Sequence, residues 1–548
     1  MTDVVAGGGV TAVILRQCAR VPDRIAVVVG DRSLTYRELD SASAALARQL
    51  RAEGVRPGRV VLIHQRQSAD TVVAMIAALR SGAAWCVIEP GHPAAQLRAL
   101  LGDIDCGAIV FGSADPKTST ESVRALARDA AGGVPALHDR DAARPDAAAR
   151  PDAAARPDAA ARPDDAARPD DAAPAAELPG DVPAATPAYV ITTSGSTGIP
   201  KAVVASRANL ASMVDGRDYD YDEDDLVTFS AFRLTWDGSL LKTLWALCSG
   251  GTSVLPDAHE LRDADAVAAL AQKWRATHLV ATPSFYRLLL PHLAPLRERL
   301  RLVTLAGEAL PGTLVEQHRA VLPGVPLRNE YGPTETTVSC LAHPVRDVPA
   351  SIAPIGRPLG SSTAYVLDAK LGVVPDGTVG DLYIGGPQIS EGYASRPAAT
   401  AARFVADPFA AKTGARMYHT GDLARVDRRG DIEFCGRVDG QVKVRGARVE
   451  RHAVEAALES HPAVHQAVVL ATANDYGEAE LTAFWVPAAT ATLLPTPREL
   501  IAHCAQRLVA QAVPDRFVAL GALPLAPSSK VDEAALRRML PGGGGDGE

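Results

Sequence analysis

Four short stretches of the chain carry residue types that do chemistry. The first is Thr192–Lys201, TTSGSTGIPK. Hydroxyls interleaved with glycines let backbone amides and side-chain donors come close to phosphate oxygens, and Lys201 adds a positive charge. The nucleotide-binding Walker pattern ends in Gly-Lys-Ser/Thr, whereas here Pro200 precedes the lysine and Ala202 follows it. The same letters also make an ordinary Ser/Thr/Gly loop. The second stretch is Asn329–Thr337, NEYGPTETT. Tyr331 offers a ring that stacks on a base and Thr334 a hydroxyl for a phosphate. Glu335 offers the oxygen ligand that a hard cation such as Mg2+ prefers. A Gly-Pro turn is equally a common loop element. The third is Tyr418–Leu423, YHTGDL, in which Asp422 can accept both hydroxyls of a ribose or simply cap a turn. The fourth, Gly436–Gly446, is a cation-rich Gly/Asp turn between two β segments; taken alone it reads as a solvated hairpin.

Rigid elements must hold these loops. Apolar runs at Ile25–Val29 and Val60–His64 read as strands, and Ala69–Arg80 as an amphipathic helix. Tyr189–Thr192 reads as a buried strand running into the first loop, and Leu279–Ala281 and Leu302–Leu305 as further short strands. Helical patterns such as Ala264–Trp274 lie between them. This alternation predicts an α/β architecture with largely parallel sheets. From Ala364 the texture turns β-rich, and a small α+β unit closes the chain. In its last long helix Thr496, Pro497 and Glu499 form a start signal, and Leu500, Ile501, Cys504 and Leu508 an apolar face.

The 548 residues suggest three or four units at about 150 residues each. Thirty of them, Arg144–Ala173, are a six-residue RPD-alanine unit written five times. It holds no large apolar residue, and a proline in every unit interrupts helix, so residues 138–186 are expected to be a disordered insert. A net charge of −8 argues against a nucleic-acid binder and against an anionic-membrane binder. Seven scattered cysteines without a CxxC, and the lack of a signal-like N-terminus or an 18-residue apolar run, predict a reduced, cytoplasmic protein.

The four stretches, in this order, resemble the adenylate-forming superfamily, and specifically the amino-acid adenylation domains of nonribosomal peptide synthetases. The resemblance begins at LTYREL (34–39) and LRSGAAWCVIEP (79–90) and ends at PSSKVDEAAL (527–536). It implies an α/β multi-domain fold. A large N-terminal domain, residues 1–436, would hold βαβ-type sheets and a β-rich subdomain. A small, mobile α+β C-terminal domain, residues 437–548, would turn on a hinge at Asp439. The implied chemistry is attack of a carboxylate on the α-phosphate of ATP, with Mg2+ present, followed by transfer of the acyl group to a phosphopantetheine thiol. Carried over to this sequence, Thr193, Ser194, Gly195, Ser196, Thr197, Gly198 and Lys201 would cover the β- and γ-phosphates. Tyr331 would stack on adenine, Thr334 would touch the α-phosphate and Glu335 would bind Mg2+. Asp422 would hold the ribose, with Arg437 beside it. Lys530 would bridge substrate carboxylate and phosphate, and Lys443 would serve the second, thiol-transfer pose.

The resemblance also points to the acid. In Phe232–Ser239, Asp237 falls where the family pairs an aspartate with the substrate ammonium, which favours amino acids. Otherwise Asp237 is an N-cap for the helix that follows. The remaining pocket positions would be Gly238, Leu241, Ala281, Thr304, Ala306, Glu330, Val338 and Ser339. Most are small; Glu330, if it faces inward, demands a hydrogen-bond donor. Three departures stand out: Ala202 for a usual glycine, Arg451-His452 for a usual Leu-Gly, and Ser529 for a glycine before Lys530. No carrier-protein motif follows Lys530 and no condensation domain precedes Leu34, so a free-standing enzyme is expected, working with a carrier protein in trans in peptide natural-product biosynthesis. An acyl- or aryl-CoA ligase and a silent nucleotide-binding protein are the rival readings.

Overall fold

The computed structural model describes residues 4–112, 123, 134–138, 178–179, 181–193, 200–437, 441–444, 447–473, 479–488, 493–524 and 531–540. Two large sheets frame it. A nine-stranded sheet runs Arg357–Pro358, Leu341–Pro344, Leu327–Tyr331, Leu302–Ala306, His278–Ala281, Val227–Ser230, Thr252–Leu255, Ile25–Val29, Arg32–Thr35. Its central pairs are parallel and its outer pairs antiparallel. A seven-stranded sheet runs Gly392–Tyr393, Lys201–Ser206, Pro187–Thr193, Ala84–Ile88, Val60–His64, Cys106–Phe111, Ala136–His138.

The strands expected at Ile25–Val29 and Val60–His64 have those bounds. Strands in the middle of a parallel sheet are covered on both faces, so they read as unbroken apolar runs. The helix Ala69–Arg80 also has the expected bounds, but it is not amphipathic. Ten of its twelve residues are buried, because it lies in a helical layer between the two sheets. One apolar cluster joins Ile14, Leu39, Met75 and Leu241 from helices to Val27 and Ala306 of the first sheet and Val61 of the second. A helix wetted on one side only shows a stripe; a sandwiched one is apolar nearly all round.

The β-rich part follows as an antiparallel sheet of Thr363–Leu367, Gly380–Gly385, Arg416–Val426 and Phe404–Ala406, with Ile432–Arg437 on the long central strand. The chain then makes a hairpin, Gln441–Val444 with Ala447–Glu450. A three-stranded sheet of Val464–Ala473, Ala479–Pro487 and Arg516–Ala519 closes the small unit, with helices Arg451–Glu459, Pro497–Ala505 and Glu533–Arg538. The expected large and small α/β parts are therefore present. Thr496 and Glu499 form the reciprocal capping box that the sequence announced. The apolar face needs correction. Leu500, Cys504 and Leu508 are buried but Ile501 is 41% exposed, and Leu508 lies beyond the end of the helix at Ala505.

The RPD repeat lies outside the described residues. Its expected boundaries shift, because His138 ends a strand and residues 183–186 are pinned. Arg207 N donates to Thr186 O (2.9 Å) and Ala208 N to Ala184 O (2.8 Å). Residues 139–186 must span from Ala136–His138 to Pro187–Thr193, four strand spacings away in the sheet order, which is about 19 Å. Deleting Arg144–Ala173 leaves 18 of those 48 residues, with a reach of about 60 Å. A protein lacking Arg144–Ala173 is expected to fold and to keep its ligase activity within about twofold; a soluble but inactive deletion refutes this.

Candidate active site

The first loop is framed by an antiparallel pair. Strand Pro187–Thr193 runs out, strand Lys201–Ser206 runs back, and Thr193 sits opposite Lys201. Ser194, Gly195, Ser196, Thr197 and Gly198 lie outside the described residues. Thr193 is buried at the mouth of the turn. The Lys201 amine lies 5.2 Å from the ring centroid of Tyr393, and the Tyr393 hydroxyl donates to Glu335 Oε1 at 2.8 Å. Tyr393 is delivered by a two-residue strand paired with Val203. Sequence reasoning missed Tyr393; nothing local marks it, because it enters by sheet pairing. Glu335 is fully buried within a single 3-10 turn, Thr334–Thr336, and its carbonyl accepts from Ser390 N at 2.9 Å. Thr334 stays partly exposed beside it.

The chain after Glu335 is strained. Thr337 and Val338 have φ of 52° and 77°, the left-handed region that costs a β-branched residue on the order of 1–3 kcal/mol. Gln388 holds them there. Its Nε2 donates to the carbonyls of Thr336 (3.3 Å), Thr337 (3.2 Å) and Ser339 (2.9 Å), and its own carbonyl accepts from the Thr337 hydroxyl at 2.7 Å. The loop doubles back so tightly that a Cβ on Gly332 would sit 2.3 Å from Val338 O. This explains the glycine after Tyr331: the Tyr-Gly-Pro-Thr-Glu string folds Val338 and Ser339 back under Tyr331.

Asp422 lies in the central strand Arg416–Val426, in register with Arg437. The Tyr331 hydroxyl donates to Asp422 Oδ2, and the Arg437 guanidinium donates to Oδ1. Burial, and then the Asp422 charge, push the Tyr331 phenol well above its ordinary range, so it stays a donor. Tyr331, Asp422 and Arg437, drawn from the second, third and fourth sequence stretches, thus form one cluster.

The pocket residues separate by sheet face. Thr304 pairs with Arg328 and Ala306 with Glu330, so these four share a face. Ala281 pairs with Leu305 and packs with Leu279, Tyr286 and Leu314 in the cluster on the opposite face. Ala281 therefore stands on the face opposite Thr304 and Ala306; in a strand, one residue of offset reverses the side chain. Glu330 is buried and finds its donor within the chain. Arg217 Nη1 donates to Oε2 at 2.8 Å, the Ser339 hydroxyl donates to Oε2 at 2.6 Å and the Tyr219 hydroxyl to Oε1 at 2.7 Å. Burial alone would raise the carboxyl, but Arg217, Arg328 and Lys242 together hold it below its ordinary value. None of Arg217, Tyr219, Arg328 and Lys242 stood out in the sequence: Arg217 and Tyr219 sit in the acidic string DGRDYDYDEDD, which reads as a wet surface loop. Leu241 and Val338 are buried with Ala306 in one apolar cluster. Gly238 faces the Phe232 ring.

Asp237 opens a 3-10 turn, Asp237–Ser239. The following helix Leu240–Ser249 starts from Ser239 with no side-chain cap. Asp237 thus lies two residues ahead of that helix's N-cap position rather than at it.

In the small unit, Lys443 lies on the strand Gln441–Val444; Asp439 and Lys530 fall outside the described residues. The end of the Lys530 segment is fixed. Asp532 N donates to Pro524 O at 2.8 Å, and its carboxylate caps the helix Glu533–Arg538. The Arg451 departure has a packing role, with Nη2 3.2 Å from Glu533 Oε1, tying two helices together.

The AMP-binding enzyme profile matches residues 14–394, and the AMP-binding enzyme C-terminal domain profile matches residues 453–530. The chain is 34% identical to tyrocidine synthase 3 of Brevibacillus parabrevis, over 95% of this chain and 7% of that protein. It is 36% identical to phosphinothricin tripeptide synthetase PhsC of Streptomyces viridochromogenes, over 94% of this chain and 44% of that one. The chain thus spans less than half the length of these relatives. Holo-PA1221, an NRPS protein containing adenylation and PCP domains and bound to a vinylsulfonamide inhibitor, superposes with a TM-score of 0.78 at 26% identity, covering 98% of this chain and 85% of that one. The amide bond synthetase McbA of Marinactinospora thermotolerans shares the fold, with a TM-score of 0.79 at 24% identity over 97% of this chain and 99% of that one. Among the described residues no helix is long and apolar enough to cross a membrane.

Proposed function

From the premise that the chain belongs to the AMP-binding enzyme family and is an adenylate-forming ligase, we propose that it activates an amino acid as its aminoacyl-AMP. It then passes the acyl group to the phosphopantetheine thiol of a separate carrier protein. The observation that carries the reading is the meeting of Asp422, Tyr331 and Arg437 beside buried Glu335. Asp422 is hydrogen-bonded to Tyr331 at the head of the short string that carries Glu335, which suits a ribose at one carboxylate and a cation at the other.

Each residue then has a task. Tyr331 presents its ring to adenine while its hydroxyl fixes Asp422. Asp422 accepts the ribose hydroxyls, and Arg437 keeps its carboxylate oriented. Lys201 and the loop Thr193–Gly198 cover the β- and γ-phosphates, and Thr334 touches the α-phosphate. Glu335, an oxygen donor fixed by Tyr393, has the chemistry to hold Mg2+. The cation, when bound, neutralises phosphate charge. Asp237 pairs with the substrate ammonium, and Gly238, Leu241, Thr304, Ala306, Val338 and Ser339 shape the pocket. The small unit, turning at Asp439, brings Lys530 to the carboxylate for adenylation and Lys443 for thiol transfer. Such displacements are positioning and charge stabilisation more than covalent work by the protein.

ATP–pyrophosphate exchange over a panel of α- and β-amino acids tests this reading. Exchange with none of them, together with CoA-dependent AMP release from an aryl or fatty acid, would replace it with a CoA ligase. Asp237→Ala is expected to lower exchange by about 10–100-fold through KM for the amino acid, the worth of one charge-assisted hydrogen bond. ATP affinity should stay within about twofold by calorimetry.

A further inference from the structure

Below the pocket positions lies a group of buried charges that neither nucleotide binding nor adenylation accounts for. The side chains of Arg217 and Glu330 are 0% exposed and that of Arg328 is 13% exposed. Lys242 is fully buried as well. Two arginines therefore meet one buried carboxylate, with the Lys242 amine buried nearby. Asp218, 2.7 Å from Arg328, is 72% exposed and meets that arginine from the solvent side.

Lys242 follows Leu241 on the helix Leu240–Ser249. Its amine lies 3.3 Å from the ring centroid of Tyr219, over whose ring Arg328 also lies, at 5.4 Å. The Tyr219 hydroxyl ends on Glu330. Among the described residues Lys242 Nζ has no hydrogen-bond acceptor, and neither does Thr304 Oγ1, which stands in register with Arg328 on the pocket face. Burial pushes the Lys242 amine well below the ordinary lysine value, against the pull of Glu330. A buried amine and a buried hydroxyl without hydrogen-bond partners are both costly, and both connect to the Glu330 cluster, Thr304 by sharing its sheet face and Lys242 through the Tyr219 ring.

We infer that the amino acid taken by this pocket carries a carboxylate in its side chain, received by Lys242 Nζ and Thr304 Oγ1. The inference rests on the adenylation reading and names its substrate class. An aliphatic side chain would leave both donors unmet. A basic one would face Arg217, Arg328 and Lys242. An amide would supply an acceptor but no negative charge to draw a proton back to the Lys242 amine.

The test is ATP–pyrophosphate exchange by the full chain with aspartate, glutamate and 2-aminoadipate, their amides asparagine and glutamine, and leucine and lysine. One acid is expected to be fastest and to exceed its amide at least tenfold. Lys242→Met should lower kcat/KM for that acid at least tenfold, mainly through KM, and reduce the acid-to-amide ratio several-fold. Thr304→Val should cost the acid a smaller, several-fold loss. If Lys242→Met does not fold, the acid-to-amide ratio of the natural protein and the Thr304→Val result decide. Fastest exchange with leucine, lysine or an amide, or a ratio unmoved by Lys242→Met, overturns the inference and leaves adenylation standing. Exchange with no amino acid at all overturns both.

Discussion

Arg217→Met is expected to cost the large domain about 3–5 kcal/mol of stability, the usual penalty for removing one partner of a buried ion pair. Both side chains are 0% exposed, so no water enters to take the place of the guanidinium. Arg217 also donates through Nη2 to Ser339 O (2.9 Å) and through Nε to Met213 O (3.0 Å), so its loss takes a donor from two carbonyls as well as from Glu330. The pH dependence has a definite sign. In the natural protein the Glu330 carboxyl is held below its ordinary value, so its stabilising contribution is present above pH about 4.3. That contribution is lost as the pH falls below this value. In the variant, burial acts with its strongest opponent removed, the carboxyl rises, and protonation relieves the cost. The gap in stability between the two proteins should therefore shrink as the pH is lowered from about 7 to 5, read from urea-denaturation midpoints. Adding Glu330→Gln to Arg217→Met should recover part of the loss, since it removes the stranded charge. A single-variant loss under about 1 kcal/mol, or a gap that widens on acidification, would show that the pair does not carry this weight.

Lys530→Ala is expected to lower aminoacyl-adenylate formation by about 10²–10³-fold, the scale set by removing one donor aimed at a developing charge. ATP affinity should hardly change, because Tyr331, Asp422 and Arg437 hold one another on the large domain without it. The clean measurement pairs pyrophosphate exchange with ATP titration by calorimetry. The variant should bind ATP within about threefold and fail to exchange. A loss below tenfold would remove Lys530 from the chemical step. Loss of ATP binding would make it a binding residue instead.

Some of this is legible in the residues alone. The strands Ile25–Val29 and Val60–His64 and the helix Ala69–Arg80 are visible because apolar runs and their spacing are local signals. The capping box at Thr496 is visible for the same reason. The strings around Tyr331 and Asp422 admit a chemical reading because each brings its residue types within a few positions, whereas the one around Arg437 reads alone as a solvated hairpin. That they form one cluster is a matter of sheet register, Asp422 standing opposite Arg437.

What only the tertiary structure decided is which side chains face one another across long stretches of chain. Glu330 demands a donor, and no local pattern could say that it comes from Arg217, 113 residues earlier. Motif spacing puts Ala281 in the pocket; its pairing with Leu305 turns it to the other face. Periodicity makes the helix Ala69–Arg80 amphipathic, yet two sheets cover it. A sequence specifies period and capping locally, because those depend on neighbouring backbone. Register, the face a strand presents and the partner of a buried charge depend on how separate elements pack, and this chain settles them only once both sheets have closed on the helices between them.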